Sequence, residues 1–279
     1  MACRIAAVSE ILPLVILPGV NSGAYLFAGA EQALGRPVFA FDPPGIGHTS
    51  LPLPFSVKAY AKQVEKFLHK KGVPRVDVMG HSMGGFAAQE LARLAGPRVR
   101  KLVLVSTGCG QPQTSADMMH LGKVTGHGFW PLMRLVSENP EVGMAWFFSE
   151  RFVKKNPEAY KAFLAERARY LPNTAVSLAH FSAGGSFSSV GWVGELMQEA
   201  LVIHGTEDLM VSAVAGKELA ARLPDARYLE LFGVGHFPML EHEKFYAYVR
   251  RFLEGEVLGE RLAPVEDGML HRLLRKLRL

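Results

Sequence analysis

Cysteine is nearly absent: Cys3 and Cys109 are the two thiols in 279 residues, far apart in sequence. They give no disulfide framework and no metal-ligand spacing, so both read as small buried hydrophobes in a reducing, cytoplasmic setting. Long apolar runs are also missing. Arg4 precedes an apolar stretch to Val20, but Glu10, Pro13 and Pro18 interrupt it and no small-residue cleavage site follows. That stretch reads as core strand rather than export signal, and nothing reaches the ~18 residues a bilayer span needs. A phosphate-cradling loop is missing, because the glycines between Asp42 and Thr49 come without the required Lys. No His/Cys/Asp cluster has metal spacing, so neither a metal nor another cofactor is expected. The net charge is +5, and residues 268–279 supply +4 of it through Arg272, Arg275, Lys276 and Arg278 with no acid. The body is close to neutral, and without a basic stripe interleaved with aromatics no nucleic-acid partner is expected.

What is present is material for a core. Hydrophobic residues make up 49% of the chain and charged ones 20%, which suits a globular α/β domain of this length, alone or with an insertion. Short apolar runs recur at Leu12–Leu17, Val38–Phe41, Arg75–Met79, Lys101–Val105, Leu201–His204 and Ala226–Leu231, with a further short strand near Ile5–Val8. Helical spacing separates them, at Val57–Lys71, Gly85–Leu94, Val211–Leu223 and Glu241–Leu253. Apolar strands alternating with helices predict a mostly parallel sheet covered on both faces. The rhythm stops between Thr107 and Glu195, where helical patterns run without a strand. The expected organisation is a core of residues 1–106 and 196–255, a helical cap at 107–195 and a tail at 256–279.

Gly80-His81-Ser82-Met83-Gly84 stands between the third of these strands and its helix. A strand, a turn this tight and a helix form a nucleophile elbow. Small residues must flank the serine, and the helix N-terminus favours negative charge beside it. A serine needs a base, and the base an orienting carboxylate. His236, in the Gly-flanked loop after the last strand, is placed to return over the elbow. Asp208 follows the strand ending at His204 and reaches the same edge, with Glu207 turned elsewhere. Of the other histidines, His81 is expected to point away from the crevice. His204 should bond locally and His242 should lie exposed on the last helix. His48, His120, His127 and His180 are weaker candidates for a rim or pocket role.

With these landmarks the chain resembles the α/β-hydrolase superfamily over roughly Leu12 to Leu253. The resemblance rests on Leu17-Pro18-Gly19-Val20, Asp42-x-x-Gly45-x-Gly47-x-Thr49, the elbow, His204-Gly205-Thr206-Glu207-Asp208 and Gly235-His236. Pro18 stands where relatives usually carry His, and the opening strand pair is shortened. The resemblance implies a serine hydrolase with Ser82 as nucleophile, His236 as base and Asp208 as its partner. Backbone N–H groups of Val20 and Met83 would hold the oxyanion, and Asn21 could add a side-chain donor. Serine rather than aspartate at the elbow favours acyl transfer over carbon–halogen or epoxide cleavage.

The expected substrate is a small lipophilic ester. The insertion is rich in Met118, Met119, Phe129, Trp130, Met133, Met144, Trp146, Phe147, Phe148, Phe152 and Phe163, which suit both a small core of its own and an apolar roof. Ala183-Gly184-Gly185-Ser186 reads as a loop or a hinge for that roof. The same machinery would serve a thioesterase, a lactonase, a polyester depolymerase, a carbon–carbon bond hydrolase or a slow ligand sensor. In the tail, Met269, Leu270, Leu273, Leu274 and Leu277 form an apolar stripe among basic residues, suited to the protein's own body, a dimer contact or an anionic membrane surface.

Overall fold

The computed structural model describes residues 11–51 and 54–256. Six strands, β1 (Leu14–Leu17), β2 (Val38–Ala40), β3 (Val76–His81), β4 (Val99–Val105), β5 (Glu199–Gly205) and β6 (Ala226–Leu231), form one parallel sheet. Their order is β2-β1-β3-β4-β5-β6. The expected strand near Ile5–Val8, Cys3 and residues 257–279 lie outside the described residues.

Twelve α-helices complete the described chain. Three follow β1, β2 and β3 in turn: α1 (Ala30–Leu34), α2 (Val57–Lys70) and α3 (Met83–Ala95). Six lie between β4 and β5: α4 (Gln113–Thr125), α5 (Phe129–Glu138), α6 (Pro140–Ala145), α7 (Glu150–Lys155), α8 (Pro157–Ala168) and α9 (Thr174–Ser186). The last three are α10 (Ala213–Arg222), α11 (Pro238–Glu241) and α12 (Phe245–Leu253). None of the described helices is long and apolar enough to cross a membrane.

The two-residue period of a strand divides the core in two. Val15 and Leu17 face the layer of α2, α3 and α10, while Leu14 and Ile16 face the layer of α1 and α12. Helix α2 starts where the Ser56 hydroxyl accepts the Ala59 N–H at 3.1 Å, and its stripe of Val57, Tyr60, Ala61, Val64 and Leu68 is buried. Phe67 completes that face by packing edge-on against Phe39 and Phe41.

One charge interrupts the apolar strands. Asp77 of β3 is fully buried, and its carboxylate accepts from Arg36 at 2.9 Å and from Arg100 at 2.8 and 2.6 Å. Arg100 also donates to the Leu253 carbonyl and Lys101 to that of Phe252. A buried carboxylate held by two guanidiniums thus pins the end of α12 to the start of the central strands.

The chain between β4 and β5 is helical, and an isolated antiparallel bridge between Gly110 and Ser188 draws its two ends together. Two local expectations are corrected. Ala183–Ser186 is the last turn of α9 rather than a loop. The final helix is two helices, because His242 takes an extended backbone and its Nδ1 accepts the Lys244 N–H at 3.3 Å, so the chain turns before α12 begins. His242 is half-buried at that break rather than exposed on a helix.

Candidate active site

The sheet order reverses at β1: the chain steps from β1 to β2 on one side, then crosses to β3 on the other. Open parallel sheets bind ligands at the carboxyl ends of strands at such a switch point. Leu17 of β1 pairs with Gly80 of β3, and His81 with Val105 of β4. The loops that follow these strands therefore start level with one another.

Ser82 sits at this point with φ +56° and ψ −125°, a left-handed conformation that costs a non-glycine residue free energy. Three bonds hold it there. Its N–H donates to Val105 O at 3.0 Å, and its carbonyl accepts from Gly85 N at 2.8 Å and Thr107 Oγ1 at 2.8 Å. Its hydroxyl makes no capping bond to α3. A methyl on Gly84 would run into the Leu17 carbonyl, and one on Gly19 would lie 2.8 Å from Ser82 Cβ. The close approach of the β1 loop to the serine is what those glycines permit.

His236 and Asp208 meet although 28 residues separate them: His236 Nδ1 lies 2.8 Å from Asp208 Oδ2, and both residues are buried. The other Asp208 oxygen accepts the Met210 N–H at 2.9 Å and the Val211 N–H at 3.0 Å. Burial alone would raise the Asp208 pKa, but the His236 charge and hydrogen bonds from His204 and His236 outweigh it and hold the carboxyl well below its ordinary range. An ionised Asp208 accepts at Oδ2, so in the neutral form of the His236 ring Nδ1 carries the proton and Nε2 keeps a lone pair. The loop itself is fastened to the insertion. His236 N donates to Phe147 O at 2.8 Å, and the Glu241 carboxylate accepts from Gly235 N at 3.1 Å, Ser149 N at 3.0 Å and Ser149 Oγ at 2.7 Å. Glu241 was not legible as part of this arrangement, because its partners lie up to 92 residues away.

His81 departs from expectation. It is the last residue of β3, on the same face as Met79, and its ring packs 4.8 Å from that of His236. Its Nε2–H donates to the His236 carbonyl at 2.8 Å. Burial and the neighbouring His236 charge lower its pKa to about 3, so it is neutral at ordinary pH. His204 does bond locally, to Val211 O at 2.9 Å, and its Nε2 also lies 3.4 Å from Asp208 Oδ2. His180 is buried behind the β1 loop, where Nδ1 accepts the Asn21 N–H at 3.2 Å and Nε2–H donates to Pro44 O at 2.8 Å. His48, His120, His127 and Glu207 are exposed.

A buried neutral histidine has a consequence for stability. Its folded pKa lies below its unfolded one, so the unfolded chain takes up the proton first and stability falls with pH. The loss from His81 should run from the ordinary histidine value of 6.5 down to about 3. Urea unfolding across that window should show a slope that flattens in His81→Gln. Identical slopes in the two proteins would contradict a neutral His81.

Ser82 and His236 line one cavity of about 680 Å³. No hydrogen bond joins their side chains; between a serine and a histidine such a bond often tightens only with substrate. Gly19, Val20 and Met83 line the same cavity. Met83 is the first residue of α3, where the N–H has no carbonyl one turn back to bond. Most of the aromatic and Met residues of the insertion line the cavity from above, while Trp146, Phe148 and Phe152 do not. Phe148 and Phe152 instead belong to the core. Arg167, on the same buried stripe of α8 as Tyr160 and Phe163, also lines the cavity.

A family model described as the alpha/beta hydrolase fold matches residues 13–243. The poly(3-hydroxyalkanoate) depolymerase of Ectopseudomonas oleovorans is 26% identical, over 88% of this chain and 86% of its own. A 2-hydroxy-6-oxononadienedioate/2-hydroxy-6-oxononatrienedioate hydrolase of Dechloromonas aromatica is 28% identical, over 88% of each chain. Among solved structures, the enol-lactonase of Burkholderia xenovorans superposes with a TM-score of 0.73 at 22% identity, covering 88% of this chain and 92% of that one. That likeness is one of fold.

Proposed function

The chain belongs to the alpha/beta hydrolase family, and from that premise we propose that it is a serine hydrolase that cleaves a carboxylic ester with a lipophilic acyl or aryl group. The observation that carries this reading is the 2.8 Å contact of Asp208 with His236, whose side chain lines the same cavity as Ser82. Asp208 fixes the His236 tautomer and steadies the imidazolium. His236 Nε2 takes the proton from Ser82 Oγ as that oxygen attacks the carbonyl, and then gives it to the leaving alkoxide. The backbone N–H groups of Val20 and Met83 stabilise the tetrahedral oxyanion. Water, activated by the same histidine, attacks the acyl-enzyme and frees Ser82. The likeness to a depolymerase of poly(3-hydroxyalkanoate), an ester polymer, supports an ester as the bond cleaved.

The insertion acts as a cap in this reading. Its Met and aromatic side chains remove the acyl chain from water at about 0.8 kcal/mol per methylene, so kcat/KM should rise about three- to fourfold for each added carbon until the cavity is filled. A series of p-nitrophenyl esters from acetate upward, run beside matched acyl thioesters, tests this. A flat series rejects the apolar roof. Turnover of the thioesters with none of the esters rejects the ester assignment, and one equivalent of product without a steady state would mark a sensor rather than an enzyme.

A further inference from the structure

Three arginine or lysine side chains are buried among the described residues: Arg36, Lys101 and Arg167. Two are neutralised inside the protein. Arg36 lies 2.9 Å from Asp77, and Lys101 lies 2.8 Å from Glu199 and also donates to the Phe252 carbonyl. Arg167 is the exception. It is 9% exposed; among the described residues no hydrogen bond, ion pair or ring contact reaches its guanidinium, and the groups that act on it, the phenols of Tyr25 and Tyr160, have pKa values raised by burial and carry no charge at ordinary pH. Glu166, its neighbour in sequence, pairs with Arg169 at 3.0 Å instead. Asp117, the other buried charge on the cavity wall, accepts from Gln113 at 2.9 Å. Burial lowers the Arg167 pKa, but a guanidinium stays charged in a protein.

An uncompensated buried cation is costly to a fold, and removing a buried charge of this kind tends to stabilise. One that persists on the wall of a binding cavity has its counterion in the ligand. The chemistry of that counterion follows from the wall. One guanidinium, with no second cation beside it, balances one negative charge. Its planar fork matches the two oxygens of a carboxylate. A phosphoryl dianion would carry a surplus charge into a cavity walled by Phe163, Phe147 and Met144. Ser82 and His236 line the same space, so the carboxylate and the scissile bond belong to one molecule.

We infer that Arg167 is the binding site for a carboxylate of the substrate, and that the preferred substrate is an ester carrying a free carboxylate separated from the scissile bond by an apolar linker. This rests on the hydrolytic reading above and names its substrate class. Nothing else in the cap has to move for it: Arg167 stands one turn after Phe163 on α8, and both already face the cavity.

The test compares mono-p-nitrophenyl esters of dicarboxylic acids with p-nitrophenyl esters of monocarboxylic acids of equal length, from four to ten carbons. The readout is the ratio of kcat/KM between the charged and neutral member of each pair. At the best length the ratio in the native protein should exceed that in Arg167→Met by about tenfold to a hundredfold, mainly through KM, the range expected for a hydrogen bond to a charged group. Arg167→Lys should keep part of the preference. Arg167→Met should also melt higher than the native protein, the opposite of what loss of a structural brace would give. Should Arg167→Met fail to fold, Arg167→Gln carries the same comparison.

A separate arm does not need turnover. Monomethyl and dimethyl adipate, titrated by calorimetry into Ser82→Ala with and without Arg167→Met, should differ in affinity only where Arg167 is present. If the native protein hydrolyses neither ester series, the hydrolytic reading fails and this binding arm still decides the role of Arg167. Equal ratios in native and Arg167→Met proteins at every length, or equal affinity for the two adipates, overturns the inference. So does a lower melting temperature in Arg167→Met with both substrate series weakened alike.

Discussion

Ser82→Ala should lower kcat on a p-nitrophenyl ester by about a millionfold, the loss expected if Ser82 is the nucleophile of such a unit. Its melting temperature stays within a few degrees of the native value. The two expectations go together because of how Ser82 is held. Its backbone is fixed by Val105, Gly85 and Thr107, none of which hydrogen-bonds the hydroxyl. That hydroxyl does not cap α3 either. Alanine can occupy the same strained φ of +56° at similar cost, so the elbow survives while the reacting atom is gone. What activity remains comes from the oxyanion donors and from binding, roughly a thousandfold over water. Steady-state kinetics and a circular-dichroism melt on one preparation check both halves.

Asp208→Asn should have the next largest effect, about ten-thousandfold in kcat, for a reason specific to the bonds at that side chain. The Oδ1 position faces two backbone donors, Met210 N and Val211 N. An asparagine amide must therefore keep its oxygen there and turn its NH₂ toward His236. Two donors cannot face each other, so His236 must move its proton from Nδ1 to Nε2. The base then presents an N–H to Ser82 where it needs a lone pair. The Asp208→Asn protein should fold normally and bind a substrate-like ester with little change, with the deficit confined to acylation. Single-turnover kinetics separate the two: a slow acyl step with near-native binding is expected, and weakened binding with a native acyl rate contradicts the tautomer argument.

The parts of this site that are legible in the sequence are those fixed by local geometry. The elbow can be read because a strand, two flanking glycines and a helix occur in immediate succession. Asp208 and His236 can be read because each follows an apolar strand by a short loop, and parallel strands bring such loops to one edge. The place of His81 was open to the same logic. β3 runs to His81, and the two-residue alternation puts it on the Met79 face, where Phe237 and His236 descend. The glycine on its N-terminal side hides this, because β3 runs through Gly80 and ends only at His81. Other features depend on contacts across the chain. The break between α11 and α12 reflects a turn around His242, beside a Glu241 carboxylate committed to Ser149 and Gly235. The solitude of Arg167 is a fact about which acids do not come near it. Its position on the stripe of Tyr160 and Phe163 could have marked it as inward-facing, but a stripe says nothing of partners.

The most direct test of the account is covalent. The protein is incubated with a p-nitrophenyl phosphonate ester, digested and sequenced by mass spectrometry, beside His236→Ala treated in the same way. The account predicts stoichiometric release of p-nitrophenol, a single adduct on the peptide carrying Ser82, and labelling of the His236→Ala protein slowed by at least about a hundredfold, the lower range for a general base. An adduct on another residue, or labelling of Ser82 at an equal rate without His236, would contradict it.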